Sequence, residues 1–439
     1  MARLSMLGAF AAAASACTPS TGPVLGNAPT EPLYEILIDE RRPAQAEVHL
    51  ALPSVPVRLM TARGGDVAGI GAVHCEDGRP AKRDGEAWLV PPGCVRVAWT
   101  VVIDDIDATG IDASLPIAAY SRRHGYWLLP ERDSLLRADD RGGSAVVRLR
   151  LVDGRSIERR YAFPSNDQPP FYAVIGFRPA REHVGSDFAL RVFGAPPDYP
   201  WMGAIHRHVL ASWSAWRRDL VAGSAPAMID WAWVRPSAGA EPGYTASAGA
   251  EAIVSQIVLR DGDPDAEAKA RVVIATSAAH EGFHTITGAA GQAWPAWVNE
   301  SLASHYAIEA ARGFLQPEDR PWLDAFYLDP EVRAPLLDAQ ARYSAGDGEQ
   351  AQVFYTWGAR FWREIEKVLT NPPNRSGRLA ALLRATNNFS GTDLVNADAI
   401  AALLDRHSDG RAQPIVRCFL QGAACPTMPS RTAAPGSLD

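Results

Sequence analysis

Basic charge, cysteine and long apolar runs are all in short supply in this chain, and each shortage removes a class of function. Lys and Arg number 43 against 50 Asp and Glu, a formal net charge of −7. Nucleic-acid binding needs a positive footprint along a phosphate backbone. No basic patch or aromatic-interleaved stripe supplies one, so no nucleic-acid partner is expected. Beyond Ala16 no apolar run approaches the roughly eighteen residues that a membrane-spanning helix needs. Only five cysteines occur, and no internal repeat stands out. What is present is ordinary globular material: 47% hydrophobic and 21% charged over 439 residues. That length suits two or three domains, each large enough for its own core.

The chemistry concentrates in His280-Glu281-Gly282-Phe283-His284, a complete H-E-x-x-H. Residues four apart share a helix face, so both imidazoles can reach one metal ion while Glu281 sits beside a bound water as its base. The flanks predict a helix. Asp263-Pro264 is a start signal, with Asp as cap and Pro at the first turn. Ala266 to Thr287 is Ala-rich, and Gly288 is a stop. A second helix is expected from Ala296, after Trp294-Pro295, through Ala311 to a stop at Gly313. It carries Glu300. The chain between His284 and Glu300 is long enough to turn and lay the second helix on the first. Two His and one carboxylate with an open fourth position is a catalytic zinc set. Structural zinc sites close with Cys and His, and no cysteine lies near. The competing reading of the two histidines is a polar patch on an Ala-rich helix.

These residues resemble the gluzincin zinc metallopeptidases of the aminopeptidase N and glycyl aminopeptidase types. Trp297-Val298-Asn299-Glu300 is similar to the W-L-N-E that follows the zinc helix in the aminopeptidase N type. Tyr355-Thr356-Trp357-Gly358 resembles the Y-E-K-G that carries the catalytic tyrosine. Ala248-Gly249-Ala250-Glu251 is similar to the strand motif whose glutamate binds a substrate's free amino group. The resemblance runs from about Pro200 to Gly422. It departs at Ala252, where the family has Asn or His, at Trp357, where it has Lys, and in a shorter His284–Glu300 interval. It implies one Zn²⁺ per chain on His280, His284 and Glu300, with Glu281 as general base and Tyr355 as oxyanion donor. Glu251 with Gly249 would contact substrate. The implied partner is a peptide. A plain packing role for Tyr355 and an ordinary strand charge for Glu251 stand beside these readings. Ser304, one turn after Glu300, is a candidate to orient a ligand. His206 and His208 do not share a helix face and are read as surface or packing residues.

The N-terminus reads as an export signal: Arg3, then apolar Leu4–Ala14, then small residues. Ala14-Ser15-Ala16-Cys17 resembles a bacterial lipobox with Cys17 as the lipidated residue, the sole membrane attachment expected. Cleavage as an ordinary secreted or periplasmic protein and an Ala-rich cytosolic N-terminus are the alternatives. Cys75 with Cys94, and Cys418 with Cys425, are candidate disulfides of an oxidising compartment; other pairings, or four free thiols, stay open.

The expected organisation is multidomain: signal 1–17, linker 18–32, an N-terminal antiparallel β domain 33–170, and an α+β thermolysin-like core 171–315. C-terminal helices over 316–427 and a tail 428–439 follow. The expected function is a zinc metallopeptidase of the bacterial cell envelope, with an aminopeptidase as its narrower form. An endopeptidase, another amide hydrolase, or an inactive peptidase-like binding lipoprotein are the alternatives.

Overall fold

A computed structural model of the chain describes residues 30–54, 58–62, 69–115, 117–138, 143–163, 171–185, 188–221, 228–249, 251–259, 262–289, 294–327, 333–370, 379–380, 382–383 and 396–425. The signal, Cys17 and the C-terminal tail lie outside the described residues.

The N-terminal part holds three sheets. A six-stranded sheet runs β13-β12-β1-β2-β7-β4. Its strands are β1 (Leu33–Ile38), β2 (Gln45–Ala51), β4 (His74–Cys75), β7 (Arg96–Val102), β12 (Gly143–Leu151) and β13 (Ser156–Phe163). Tyr34, Ile36 and Ile38 of β1 point inward while their neighbours face outward, the period-2 alternation of a one-sided sheet. A four-stranded sheet joins β3 (Arg58–Thr61), β5 (Lys82–Asp84), β6 (Ala87–Leu89) and β11 (Leu136–Arg137). Another joins β8 (Asp104–Asp105), β9 (Ala119–Ser121), β10 (Tyr126–Pro130) and β14 (Tyr172–Gly176). One-turn helices α1 (Ile106–Thr109) and α2 (Glu131–Ser134) interrupt the strands. Cys75 and Cys94 are disulfide-bonded. The expected purely antiparallel domain needs correction. β1 pairs parallel with β12 and β8 parallel with β9. Alternation reports which face is buried and carries nothing about strand direction.

The second part is built on a five-stranded mixed sheet, order β15-β16-β17-β19-β18. Its strands are β15 (Arg181–Val184), β16 (Ala189–Gly194), β17 (Met228–Trp233), β18 (Gly243–Ala248) and β19 (Ala252–Val258). Helices α3 (Met202–Asp219), α4 (Ala266–Ala289) and α5 (Ala296–Phe314) pack on one another and on this sheet. α4 starts as expected: the Asp263 carboxylate accepts from the Asp265 N–H at 2.9 Å. It runs through Gly288 to Ala289. Helices α6 (Arg320–Tyr327), α7 (Leu336–Ser344) and α8 (Ala351–Val353) follow. A π-helical turn, Phe354–Gly358, then leads into α9 (Ala359–Thr370). Helices α10 (Ala397–Ser408) and α11 (Gln413–Gln421) complete the described chain, with Cys418 bonded to Cys425.

Fully buried Trp213, Trp231, Trp297, Phe283 and Phe354 anchor one core that runs from this sheet through the helices. The two parts meet across Tyr126, Tyr172 and Phe193, packed with Ala232 and Val254. The Tyr126 hydroxyl donates to the Trp233 carbonyl at 3.1 Å.

Near the site, β19, the strand after Glu251, lies between β17 and β18, and the edge is β18. β18 reads Gly-Tyr-Thr-Ala-Ser-Ala, without the β-branched apolar run that marks a strand. Its hydrogen bonds to β19 form it all the same.

Candidate metal centre

α4 presents His280 and His284 one turn apart, and α5 crosses it to present Glu300. The His280 and His284 Nε2 atoms lie 3.0 Å apart. Each lies 3.2 Å from Glu300 Oε2. Three lone-pair-bearing atoms that face one another at this range could hold a metal ion between them. A tetrahedral site with 2.0–2.1 Å bonds has ligand–ligand edges of about 3.3 Å, so the spacing fits a small divalent ion. The donor set is that of a three-ligand catalytic zinc site.

The electrostatics agree. Burial opposes charge on Glu300, but His284 and His280 outweigh it and hold the carboxyl well below the usual range. Burial likewise opposes charge on His284, yet the Glu300 carboxylate lifts it to about 9. The pocket therefore demands positive charge, which protons on the imidazoles or a metal can supply, and metal binding would displace those protons.

Around the three ligands the helices are locked by close approaches. Gly282 faces Trp213 of α3. A Cβ there would lie 2.5 Å from the indole Cζ2 and closer still to Nε1 and Cε2. Gly358 meets Ser301 of α5, where an added Cβ would come 2.5 Å from the serine Cβ. The Trp362 indole N–H donates to Ser301 Oγ at 2.7 Å. Ser304, buried, lies 3.3 Å from His280 Nδ1. With Nε2 as the metal-facing atom, Nδ1 carries the proton and the hydroxyl accepts it, which fixes ring and tautomer.

Glu281 follows His280 toward the sheet edge. Burial pushes its carboxyl up, with the two histidines and an N–H donated by Ala248 of β18 pulling the other way. Tyr355 stands on the π-helical turn with its ring 5.6 Å from that of His280, edge to face. π-Bulges recur at functional sites because they re-aim a side chain within a helix. The structure thus brings His280, Glu281, His284, Glu300 and Tyr355 together. Gly249 joins them at one remove: its carbonyl accepts from Thr285 Oγ1 at 3.0 Å.

Glu251 has different company. It stands in the β18–β19 turn, where burial raises its carboxyl to about 7, with Arg159 lowering it and Asp230 raising it. Arg159 comes from β13 of the N-terminal sheet and reaches Asp230 at 2.9 Å. Asp230 also takes both hydrogen bonds of an Arg191 fork at 2.7 Å. No pattern in the sequence singles out these three residues. His305 is buried and pairs with Glu366 at 3.2 Å. His208 Nε2 lies 2.6 Å from the Ala310 carbonyl and His206 is completely buried, so of the surface and packing readings the structure gives both residues packing.

No protein-family model matches the sequence, and no curated protein sequence matches it. Solved structures do. An aminopeptidase N family protein from Idiomarina loihiensis superposes with TM-score 0.59 at 12% identity, over 86% of this chain and 73% of that one. An M1 zinc metallopeptidase from Deinococcus radiodurans, with a Tyr-Ser-Ala substrate bound to its mutant form, gives 0.47 at 14% identity over 91% and 95%. Legionella pneumophila aminopeptidase A gives 0.48 at 12% identity over 89% and 49%. The fold assignment rests on the first. At these identities the likeness speaks for fold, and the chain has the fold of an aminopeptidase N family protein.

Proposed function

We propose that this protein is a zinc-dependent metallopeptidase of the bacterial cell envelope. The observation that carries the reading is the convergence of His280, His284 and Glu300 with Glu281 and Tyr355 beside them. His280, His284 and Glu300 would hold the zinc, which would supply Lewis acidity to the scissile carbonyl and to the attacking water.

The chain's own residues do the rest. β18 is the edge strand of the sheet, a place where an extended peptide can lie as an added strand. Glu281, raised by burial, accepts a proton from the attacking water. As the C–N bond breaks, it returns that proton to the departing amine. Tyr355 donates its O–H to the oxygen that gains charge at the reacting carbon. Ser304 holds His280 in place throughout.

The narrower reading, an aminopeptidase, depends on Glu251 meeting a substrate ammonium. A second reading, an endopeptidase or other amide hydrolase, is favoured by the charge set around Glu251, where Arg159 already answers its carboxylate. Cys17 as lipid anchor and the oxidising compartment that suits both disulfides belong to the same proposal.

Metal content tests the core of it. About one zinc per chain is expected, lost in His284→Ala and Glu300→Ala, retained in Glu281→Gln. Glu281→Gln should lower peptide hydrolysis by about 10²–10⁴-fold. A protein that takes up no zinc on reconstitution refutes the reading. Peptides with free and acetylated N-termini then separate the two forms, since an aminopeptidase loses the blocked substrate.

A further inference from the structure

A second cluster lies on the first turns of α3, N-terminal to Trp213, the residue that meets Gly282. Gly203, His206 and Arg207 are three and four residues apart and share one face of its first turns. Side chains on a helix lean toward its N-terminus, so the His206 and Arg207 side chains tilt over Gly203. From the edge strand β15, Arg181 and His183 alternate onto the inward face. They meet α3 there. A point over Gly203 where a side chain would begin is 3.6 Å from Arg207 Nη1 and 3.9 Å from Arg181 Nη1. The His183 and His206 rings are 5.3 Å apart.

All four side chains lack an answering group. Among the described residues neither arginine has an ion pair. His206 is completely buried with no hydrogen-bond partner for either ring nitrogen, and His183 Nε2 is buried without one. The N-cap, Trp201, gives the helix no side-chain cap. Three first-turn N–H groups, those of Met202, Ala204 and Ile205, already donate to the Tyr199 and Trp201 carbonyls, so the first turn contributes chiefly the positive end of the helix dipole. Two guanidiniums offer only donors, and a neutral imidazole offers one more. A metal ion is opposed by the two fixed positive charges. An oxyanion is favoured by every one of these features at once.

We propose that Arg181, His183, His206, Arg207 and the first turn of α3 form a binding site for a small tetrahedral oxyanion of the inorganic phosphate class. It is separate from the metal centre. Trp213, the residue that touches Gly282, lies seven positions along α3 from His206, or about 10 Å at the helical rise. The site does not depend on the peptidase reading.

The test is a calorimetric and thermal-melting titration of the full chain with sodium phosphate, at ionic strength matched with sodium chloride. Phosphate should bind and raise the melting temperature. Arg181→Gln and Arg207→Gln should each weaken binding about tenfold or more. His284→Ala should leave it unchanged, which separates this site from phosphate held at the metal centre. Arg207 is exposed on the helix surface, so Arg207→Gln reports even if Arg181→Gln folds poorly. Equal affinity in Arg207→Gln, an effect that chloride reproduces, or loss of binding in His284→Ala would each overturn the proposal.

Discussion

Replacing Gly282 with alanine is the sharpest test of how this metal helix is held. In an exposed helix the change stabilises by about 0.8–1.0 kcal/mol, because glycine is the poorer helix former. Here the added methyl would strike three atoms of the Trp213 indole, one of them at 2.5 Å. Ordinary carbon contacts are about 3.5–4.0 Å, so α3 and α4 must part by at least about 1 Å. Trp213 is completely buried, so its indole is packed on every side. Overpacking of this kind costs about 1–3 kcal/mol, occasionally more. With three atoms struck, the upper end applies, and the net loss after the helix-propensity gain is about 2 kcal/mol. That corresponds to about 4–8 °C in melting temperature for a unit of 150–250 residues. Because His280 and His284 flank Gly282 on the displaced helix, zinc affinity should fall too, read by competition with a chelator. Trp213→Phe removes the indole atoms nearest the clash, and the double variant should recover part of the loss as a coupling energy. A Gly282→Ala protein that melts at or above the wild-type temperature would refute the reasoning.

Tyr355→Phe should lower kcat by about 10²–10³-fold at unchanged zinc content; an unaltered kcat would return Tyr355 to the core. Ser304→Ala should weaken zinc binding by about 10–100-fold in chelator competition with the fold intact, and no change would mean that His280 is oriented without it. His206 carries a pH signature. Burial, then His183, Arg181 and Arg207, hold its ring at about 3, against 6.5 for the free group. It faces Trp231 across the core, and no carboxylate meets it among the described residues. Its folded value lies below its unfolded one, so the unfolded chain takes up the proton first and stability falls as pH drops from about 6.5 toward 3. The added slope approaches about 1.4 kcal/mol per pH unit. His206→Gln should flatten urea-unfolding stability against pH over that window, and an unchanged slope would show that the imidazole is charged in the fold.

Much of the site was legible because its determinants are local. An i, i+4 spacing needs only a helix to place two imidazoles on one face, and Asp263-Pro264 states where that helix begins. Trp294-Pro295 announces the next helix, and Glu300 follows within two turns. The two disulfides join cysteines close in sequence, Cys75 with Cys94 and Cys418 with Cys425, so short loops suffice to bring them together.

What escaped the sequence is what depends on distant partners. Strand β18 forms because β19 supplies its hydrogen bonds, and its own Ala, Ser and Thr declare no preference. The parallel pairing of β1 with β12 joins segments about a hundred residues apart, and burial alternation is blind to direction. The need for glycine at 282 comes from Trp213 of another helix packed against it. Arg159, Asp230 and Arg191 come from three strands of two sheets, and helix position alone leaves His206 open as a surface or a packing residue. The sequence by itself determined the ligand types, their spacing and the helices that carry them, since backbone geometry within a few turns is enough. The tertiary structure decided which strand forms the sheet edge, which glycines admit a neighbouring helix and which charges are met, because those follow from contacts that no local pattern encodes.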